Sequence, residues 1–224
     1  MKRIFQLINK NIGLSHVVGF LKPKPPEQKP LITISREFGS SGSIIAEEVA
    51  KKLGKRWRVY HEQIVDQIAK ETHLDKRVIK EVDESRVPTL EEMIDDFFGK
   101  QHLSLKTYSR HLTHVLEEIG KRGYAIIVGR GAEYIFPETL NVRIIGDMKY
   151  RVATIMKHRK VTAETAAKMI ATADRKRIEF VRRLFNHDPR KAHHYDLTIR
   201  TSHELSPETI SGIIVEAAKR RFKL

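Results

Sequence analysis

The 224-residue chain contains no cysteine, which excludes disulfide bonds and thiolate zinc sites. Aromatic residues make up only 7% of it, and no run approaches the roughly 20 apolar residues that a membrane-spanning helix needs. Acidic residues are outnumbered, so the formal net charge is +14. We expect a protein of the reducing cytoplasm, with length for one substantial domain and an appendage.

The excess positive charge lies towards the two ends of the chain. Residues 143–224 carry nineteen Lys and Arg against nine Asp and Glu, whereas residues 31–142 are nearly balanced. A basic region of this kind indicates a polyanionic ligand, either nucleotide phosphates or a nucleic acid. Charge that merely keeps the surface solvated is the plainer alternative.

Residues 1–30 are predicted to lie outside the main fold. Residues 1–21 have apolar side chains at helical spacing beside basic ones, and residues 22–30 contain four prolines, which interrupt helix and strand alike. We interpret this part as an amphipathic arm on a tether, suited to an anionic partner or to the surface of a membrane. Residues 31–224 are predicted to form one domain.

From residue 31 onward, short apolar strands alternate with helices. Strands are predicted near residues 31–35, 58–60, 124–128, 141–145 and 196–200, and helices near 43–53, 62–72, 75–83, 91–121, 149–159, 162–186 and from 207. This alternation is typical of a mainly parallel sheet covered by helices on both faces. The predicted fold class is therefore α/β with three layers, α/β/α.

The most informative segment is residues 32–46, ITISREFGSSGSIIA, in which an apolar strand leads through a Gly/Ser loop into a helix. This order gathers backbone N–H groups and the positive end of a helix, which suits a bound phosphate. A P-loop would carry a lysine where this chain has Gly42. Arg36, at the end of the strand, is a candidate replacement. A tight turn with a serine cap would have a similar sequence.

Two other segments carry arginines that suit phosphates. The strand at 124–128 ends in Gly129-Arg130-Gly131, and Arg130 is expected beside the first loop because ligands bind at the carboxyl ends of strands in such sheets. The helix at 162–186 contains Asp174-Arg-Lys-Arg177. Arginine forms bidentate bonds to phosphoryl oxygens. A solvated helix face or a nucleic-acid contact strip would have the same composition.

With these segments in view, the chain resembles the cytidylate kinase-like family, a branch of the P-loop nucleoside monophosphate kinases. The similarity spans about residues 31–222 and is carried by residues 32–42, 125–132, 174–177 and 195–202. It implies a Rossmann-like P-loop fold with a helical lid and a helical insert that binds the nucleoside monophosphate. It also implies ATP with Mg²⁺ as phosphoryl donor and a pyrimidine nucleotide such as CMP as acceptor.

The resemblance further implies roles for individual residues. Arg130 would contact the acceptor phosphate, and the lid arginines Arg175 and Arg177 would close over the transferred group. The residues that would line the donor phosphates, with Ser43 also near Mg²⁺, are Gly39, Ser40, Ser41, Gly42 and Ser43.

The chain departs from the family pattern within the loop and just after the second glycine turn. Family members carry a lysine at the position of Gly42 or an arginine at that of Ser43, and cytidylate kinases carry an aspartate at that of Gly131. The segment Tyr60-His61-Glu62, where the acceptor site would begin, also differs from the usual family sequence. Loss of a positioned cation would weaken stabilisation of the transition state.

Two functions therefore stay open. One is a nucleoside monophosphate kinase-type phosphotransferase, in which catalysis is positioning plus electrostatics. The other is a weakly active or inactive nucleotide- or anion-binding regulatory protein that uses its basic face and residues 1–21 to bind a partner or membrane. The region 91–121 offers a surface for pairing with a second copy.

Overall fold

A computed structural model describes residues 29–61, 64, 66, 70 and 105–224. Within them lies a five-stranded sheet in which all neighbouring strands are parallel, in the order β2-β3-β1-β4-β5. The strands are β1 (Leu31–Arg36), β2 (Arg58–Tyr60), β3 (Ala125–Val128), β4 (Leu140–Gly146) and β5 (Leu197–Thr201). Each coincides with a predicted strand to within one or two residues, so the predicted α/β class with a mainly parallel sheet is confirmed.

Helices cover both faces of this sheet. They are α1 (Gly42–Leu53), α2 (Leu105–Arg122), α3 (Ala132–Ile135), α4 (Met148–Arg159), α5 (Ala163–Phe185) and α6 (Pro207–Phe222), with a short 3₁₀ turn at Ala192–His194. Three of them begin at side chains that accept backbone N–H bonds, namely Asp147, Thr162 and Ser206. The sequence did not predict α3, because four residues are too few to show helical periodicity.

The two faces of the central strands differ in character. On one face, Ile32, Ile34, Val142 and Ile144 pack beneath α1 and α6 in an apolar core. On the opposite face, Leu31 and Ile127 pack against α2. Further along that face, the Thr33 hydroxyl donates to Asn141 Oδ1 at 2.6 Å, and Arg143 Nη1 donates to Ser35 Oγ at 3.1 Å. Buried polar groups therefore lead towards the carboxyl ends of the strands.

Several predicted features lie outside the described residues. They are the arm and most of its tether (1–28), the insert for the acceptor nucleotide, the helices at 62–72 and 75–83 for the most part, and the first part of the 91–121 segment. The division into an arm and one domain stays a prediction. Among the residues described, no helix combines the length and the apolar composition that crossing a membrane requires.

Candidate active site

The loop after β1 lies where the sheet changes direction. Strands β1 and β3 are neighbours, but the chain leaves β1 towards β2 on one side and leaves β3 towards β4 on the other. Such a switch point opens a crevice beyond the carboxyl ends of the strands. A cavity of about 1110 Å³ lies there, lined by the loop after β1, the turn after β3, and residues of α4 and α5.

The loop backbone turns sharply into α1. Gly39 (φ 81°) and Ser41 (φ 60°) both have left-handed backbones, and Ser41 immediately precedes Gly42, the first residue of the helix. The first turn of α1 contains no acidic residue. The positive end of the helix dipole therefore reaches the cavity without a side-chain carboxylate of its own to neutralise it, which suits an anion.

The three loop serines have different environments. Ser40 is fully buried, and its hydroxyl donates to the Glu37 carbonyl oxygen at 3.0 Å. The Ser41 hydroxyl lies 2.8 Å from the hydroxyl of Tyr150 on α4. Ser43 is exposed and lines the cavity. Two serine hydroxyls thus hold the loop to the protein, whereas Ser43 can offer its hydroxyl to a ligand.

The stem of Arg36 packs on Gly42, the residue at which a P-loop would carry its lysine. A Cβ atom placed on Gly42 would lie 2.6 Å from Arg36 Cβ and 2.9 Å from its Cγ. The guanidinium packs on Gly129, where any side chain would collide with it, and Nη2 donates to His61 Nε2 at 2.8 Å. Because arginine has no acceptor, His61 accepts through Nε2. The stem of Arg36 therefore packs against the loop, whereas its charge lies at the start of the turn after β3.

The turn after β3 is built from three consecutive left-handed residues. Gly129, Arg130 and Gly131 have φ values of 80°, 62° and 67°. A left-handed conformation is unfavourable for a non-glycine residue by roughly 1–3 kcal/mol, so the surrounding structure must hold Arg130 in place. Gly131 packs on the ring of Phe185 at the end of α5, and Arg130 lines the cavity. The turn therefore brings Arg130 to the same cavity as the loop after β1.

Helix α5 presents Arg177 and not Arg175 to the cavity. Arg177 lines the cavity, and its Nη1 donates to the Arg36 carbonyl oxygen at 3.1 Å. Burial lowers the pKa of Arg177, an effect that the charge of Asp174 partly offsets. Arg175 is exposed and does not line the cavity, because residues two positions apart on a helix point in nearly opposite directions. A lid role for Arg175 remains a prediction.

A buried ionic cluster fastens α4 and α5 to the loop. Arg151 is 4% exposed and donates through Nε to the Phe38 carbonyl oxygen at 2.8 Å. It also bonds to the carboxylates of Glu37 and Asp174. Asp174 in turn accepts from the Phe38 N–H at 2.8 Å, and Glu37 accepts from the Gly146 N–H at 3.0 Å. The loop after β1 is thereby braced from two helices and from the end of β4.

The described lining of the cavity is strongly positive. It includes eight Lys and Arg side chains but three carboxylates, Glu37, Glu133 and Asp174. The basic residues are Arg36, Arg130, Arg143, Arg159, Lys168, Lys176, Arg177 and Arg190. A concave surface with this excess raises the local concentration of anions and suits a ligand with several negative charges.

Sequence reasoning did not assign roles to several residues of this cavity. Arg143 is 7% exposed within β4, where a charged side chain interrupts an apolar strand, and that interruption was a usable signal. Arg151 and Glu133 gave no such signal, because a single charged residue on a helix is common at a surface. In the sequence, Asp174 stands out only as a neighbour of the basic run.

The comparison that decides the family is a protein-family profile. The profile of the cytidylate kinase-like family matches residues 31–203. The chain belongs to the cytidylate kinase-like family. The resemblance expected from the sequence is thereby confirmed, and membership identifies the chain as a kinase-like protein of the nucleotide-binding type.

Solved structures agree on the fold of this family member. An uncharacterized protein from Eubacterium ventriosum ATCC 27560 aligns with a TM-score of 0.64 and 18% identity, covering 85% of this chain and 99% of that one. TT1252 from Thermus thermophilus aligns with a TM-score of 0.53 and 12% identity, covering 86% and 98%. At these identities the likeness concerns the fold alone.

One curated relative has a different description. The E3 ubiquitin-protein ligase BRE1A of Mus musculus is 28% identical over 133 residues, which is 54% of this chain. The chain spans 14% of the length of that protein. At this identity and coverage the similarity indicates neither a shared family nor a shared activity.

The site fits the phosphates of a nucleotide better than a metal held by the protein. The helix N-terminus, Arg36 and the positive lining all suit phosphate oxygens. Mg²⁺ is usually held by one or two carboxylates beside the phosphates, but Glu37 and Asp174 already bond to Arg151. In the described part of the chain no three His, Cys, Asp or Glu are arranged for a metal ion. A bound Mg²⁺ would rely on the phosphates and on Ser43.

Proposed function

We propose that this member of the cytidylate kinase-like family is a phosphotransferase. It would transfer a phosphoryl group from ATP, bound with Mg²⁺, to a small anionic acceptor. A pyrimidine nucleoside monophosphate such as CMP is the first candidate for that acceptor. The observation that supports this most is that the glycine- and serine-rich loop after β1 lines the same cavity as Arg36, Arg130 and Arg177.

On the donor side, the loop of residues 39–43 would hold the phosphates. The N-terminus of α1 supplies backbone N–H groups there, and Ser43 supplies a free-standing hydroxyl at the cavity surface. Arg36 reaches from this loop to the turn after β3, where its permanent charge lies and can act on the phosphoryl groups of either substrate. A fixed cation stabilises the charge that develops on phosphate oxygens in the transition state, without reorganisation at the moment of reaction.

On the acceptor side, Arg130 and Arg177 would orient the reacting groups. Both line the same cavity, and Arg177 is held by its bond to the Arg36 carbonyl oxygen. An oxygen of the acceptor attacks the terminal phosphorus of ATP while the bond from that phosphorus to ADP breaks. The protein forms no covalent bond in this step and contributes position and charge.

A regulatory protein is the second candidate, and a specific observation favours it. The carboxylates beside the loop, Glu37 and Asp174, both bond to Arg151, and Arg36 bonds to His61. A site whose charged groups are already paired can bind a nucleotide and still turn over slowly. In that case residues 1–21 would bind an anionic partner or a membrane surface. In either case the cytoplasm is the location that we predict.

The test is calorimetric titration of the full chain with ATP and Mg²⁺, followed by measurement of ADP release with a panel of nucleoside monophosphates. We expect ATP binding and acceptor-dependent turnover. The Arg36→Ala variant should lose turnover by about 10²–10³-fold, as when one transition-state donor is removed. Arg36→Lys should recover part of it, because lysine restores the charge without the planar fork.

The matched control is Lys55→Ala, which removes an exposed cation next to the end of α1. It should leave binding and turnover unchanged. Binding of ATP without turnover on any acceptor would favour the regulatory candidate. Equal turnover of Arg36→Ala and the unmodified chain would refute the role of Arg36.

A further inference from the structure

Glu133 is a buried carboxylate with one oxygen unsatisfied. It belongs to α3, directly after the turn that carries Arg130, and it is 4% exposed although it lines the cavity. Its Oε1 accepts from the Tyr195 hydroxyl at 3.2 Å. Its Oε2 is buried and has no hydrogen-bond partner among the described residues. A buried carboxylate oxygen without a partner is costly, so such an atom calls for an explanation.

The other two carboxylates of the cavity lining show the contrast. Glu37 and Asp174 each accept from a backbone N–H and bond to Arg151. Their oxygens hold the loop after β1 in place and are not available to a ligand. Glu133 differs from both, because its Oε2 has no partner among the described residues.

Holding the Tyr195 hydroxyl in place does not by itself explain why a carboxylate is buried at position 133. The Tyr195 hydroxyl has one proton, and it lies 2.9 Å from the Pro189 carbonyl oxygen as well as 3.2 Å from Glu133 Oε1. The tyrosine would therefore keep an acceptor without this carboxylate. Even when Tyr195 donates to Glu133, only one carboxylate oxygen is used. The second oxygen is left without a partner among the described residues, in a side chain that lines a cavity rich in positive charge.

The cations of the cavity lie close enough to act on this carboxylate. Burial raises the pKa of Glu133, whereas a hydrogen bond from its own backbone N–H, the Tyr195 hydrogen bond and the charges of Arg143 and Arg36 oppose that rise. Arg36 also lines the cavity and packs on Gly129, at the start of the turn that leads into α3. Glu133 thus lines the same cavity as these cations, and its Oε2 has no donor among the described residues.

We propose that Glu133 Oε2 accepts a hydrogen bond from an O–H or N–H group of the phosphoryl acceptor. This inference rests on the proposed phosphotransferase function and names a class of acceptor for it. The acceptor would be a small anion that also carries a hydroxyl or amino group, its negative end towards Arg36 and Arg130 and its donor group towards Glu133. Glu133 would then be a specificity-determining residue.

The Glu133→Gln variant tests this chemistry with little change of shape. Glutamine can keep an oxygen towards Tyr195 and place an NH₂ group, a donor, where Oε2 was. Binding is measured by calorimetric titration with two pairs of nucleotides, each pair differing by one donor. CMP carries an amino group where UMP carries a carbonyl, and CMP carries a 2′-hydroxyl that dCMP lacks.

If Glu133 accepts a hydrogen bond from one of these donors, the unmodified chain binds CMP more tightly than UMP or more tightly than dCMP. In Glu133→Gln that preference should fall at least about tenfold, because two donors would then face each other. Glu133→Asp, which keeps the charge but shortens the reach, should also lose the preference and serves if the glutamine variant does not fold. Tyr195→Phe, which leaves the carboxylate in place, should retain it. Affinity for ATP should be unchanged in all three.

Each outcome has one meaning. Unchanged ratios for both pairs in both Glu133 variants would overturn this inference and leave the proposed function standing. Binding of CMP by the unmodified chain with no preference within either pair would do the same. If the unmodified chain binds neither ATP nor any of the three monophosphates, the proposed function is refuted, and this inference with it.

Discussion

The two faces of β1 and β4 differ in what they contribute, one to the stability of the fold and the other to the binding cavity. On the α1 and α6 face, Ile34 and Val142 are completely buried in apolar surroundings. On the opposite face, Ser35 and Arg143 are joined by a buried hydrogen bond close to the cavity. Since successive side chains of a strand point to opposite faces, adjacent residues contribute to different properties. The apolar face should set the free energy of unfolding, and the polar face should set what the cavity binds.

Truncating one side chain on each face tests this division of roles. We expect Ile34→Ala to lower the free energy of unfolding by about 2–5 kcal/mol, because it leaves a cavity in a fully buried core. Ser35→Ala should lower it by about 1 kcal/mol, since it removes one hydrogen bond with Arg143. Chemical denaturation measures both values.

Measurements of ligand binding distinguish the same two variants. The folded fraction of Ile34→Ala should bind ATP as the unmodified chain does, whereas Ser35→Ala should alter affinity for the acceptor more than it alters stability. Equal losses of stability in the two variants would contradict the division between the faces.

The next largest effect is expected within α5, which also has a cavity side and a solvent side. Arg177→Ala removes a cavity-lining cation and its part-buried hydrogen bond to the Arg36 carbonyl oxygen. If Arg177 bonds to the reacting phosphoryl group, loss of that charge-assisted bond, about 1.5–3 kcal/mol, should lower turnover by roughly 10- to 100-fold. Arg175→Ala should lose much less, because Arg175 is exposed outside the cavity lining.

Arg183→Ala supplies the baseline for this series, since Arg183 is an exposed arginine near the end of the same helix. Steady-state kinetics on all three variants orders them. A loss in Arg175→Ala as large as that in Arg177→Ala would mean that Arg175 reaches the phosphates during turnover, as the lid prediction has it.

The strands and most described helices could be predicted from the sequence because their signals are local. The β-branched run at residues 31–35 and the apolar run at 125–128 predicted the two strands that end at the cavity. The Gly/Ser sequence predicted the loop that lines it. Arg36 could be proposed as a replacement cation, since it ends the first strand. The direction of its guanidinium, towards Gly129 and His61, could not be foreseen, because it depends on how separate strands and turns pack together.

The ionic cluster behind the loop could not be predicted for a different reason. Arg151 and Asp174 are 23 residues apart, on α4 and α5, and their pairing depends on how the two helices pack. The choice between Arg175 and Arg177 likewise depends on the rotation of α5 about its axis. A basic run shows that a helix is positively charged, but only the packed structure shows which arginine faces the site.

The smallest effect is expected from pH, and it separates Glu133 from carboxylates on the surface. Burial raises the pKa of Glu133 above its ordinary value of 4.5. The folded state therefore binds this proton more tightly than the unfolded state, so its stabilising contribution is complete below that ordinary value and is lost as pH rises through the folded pKa. Glutamine cannot ionise. The melting temperature of Glu133→Gln relative to the unmodified chain should consequently rise between about pH 4 and pH 8, and the exposed-site variant Glu47→Gln supplies the curve for comparison. Parallel curves for Glu133→Gln and Glu47→Gln would mean that burial of Glu133 costs the folded state nothing, and the unsatisfied oxygen would then need no ligand to explain it.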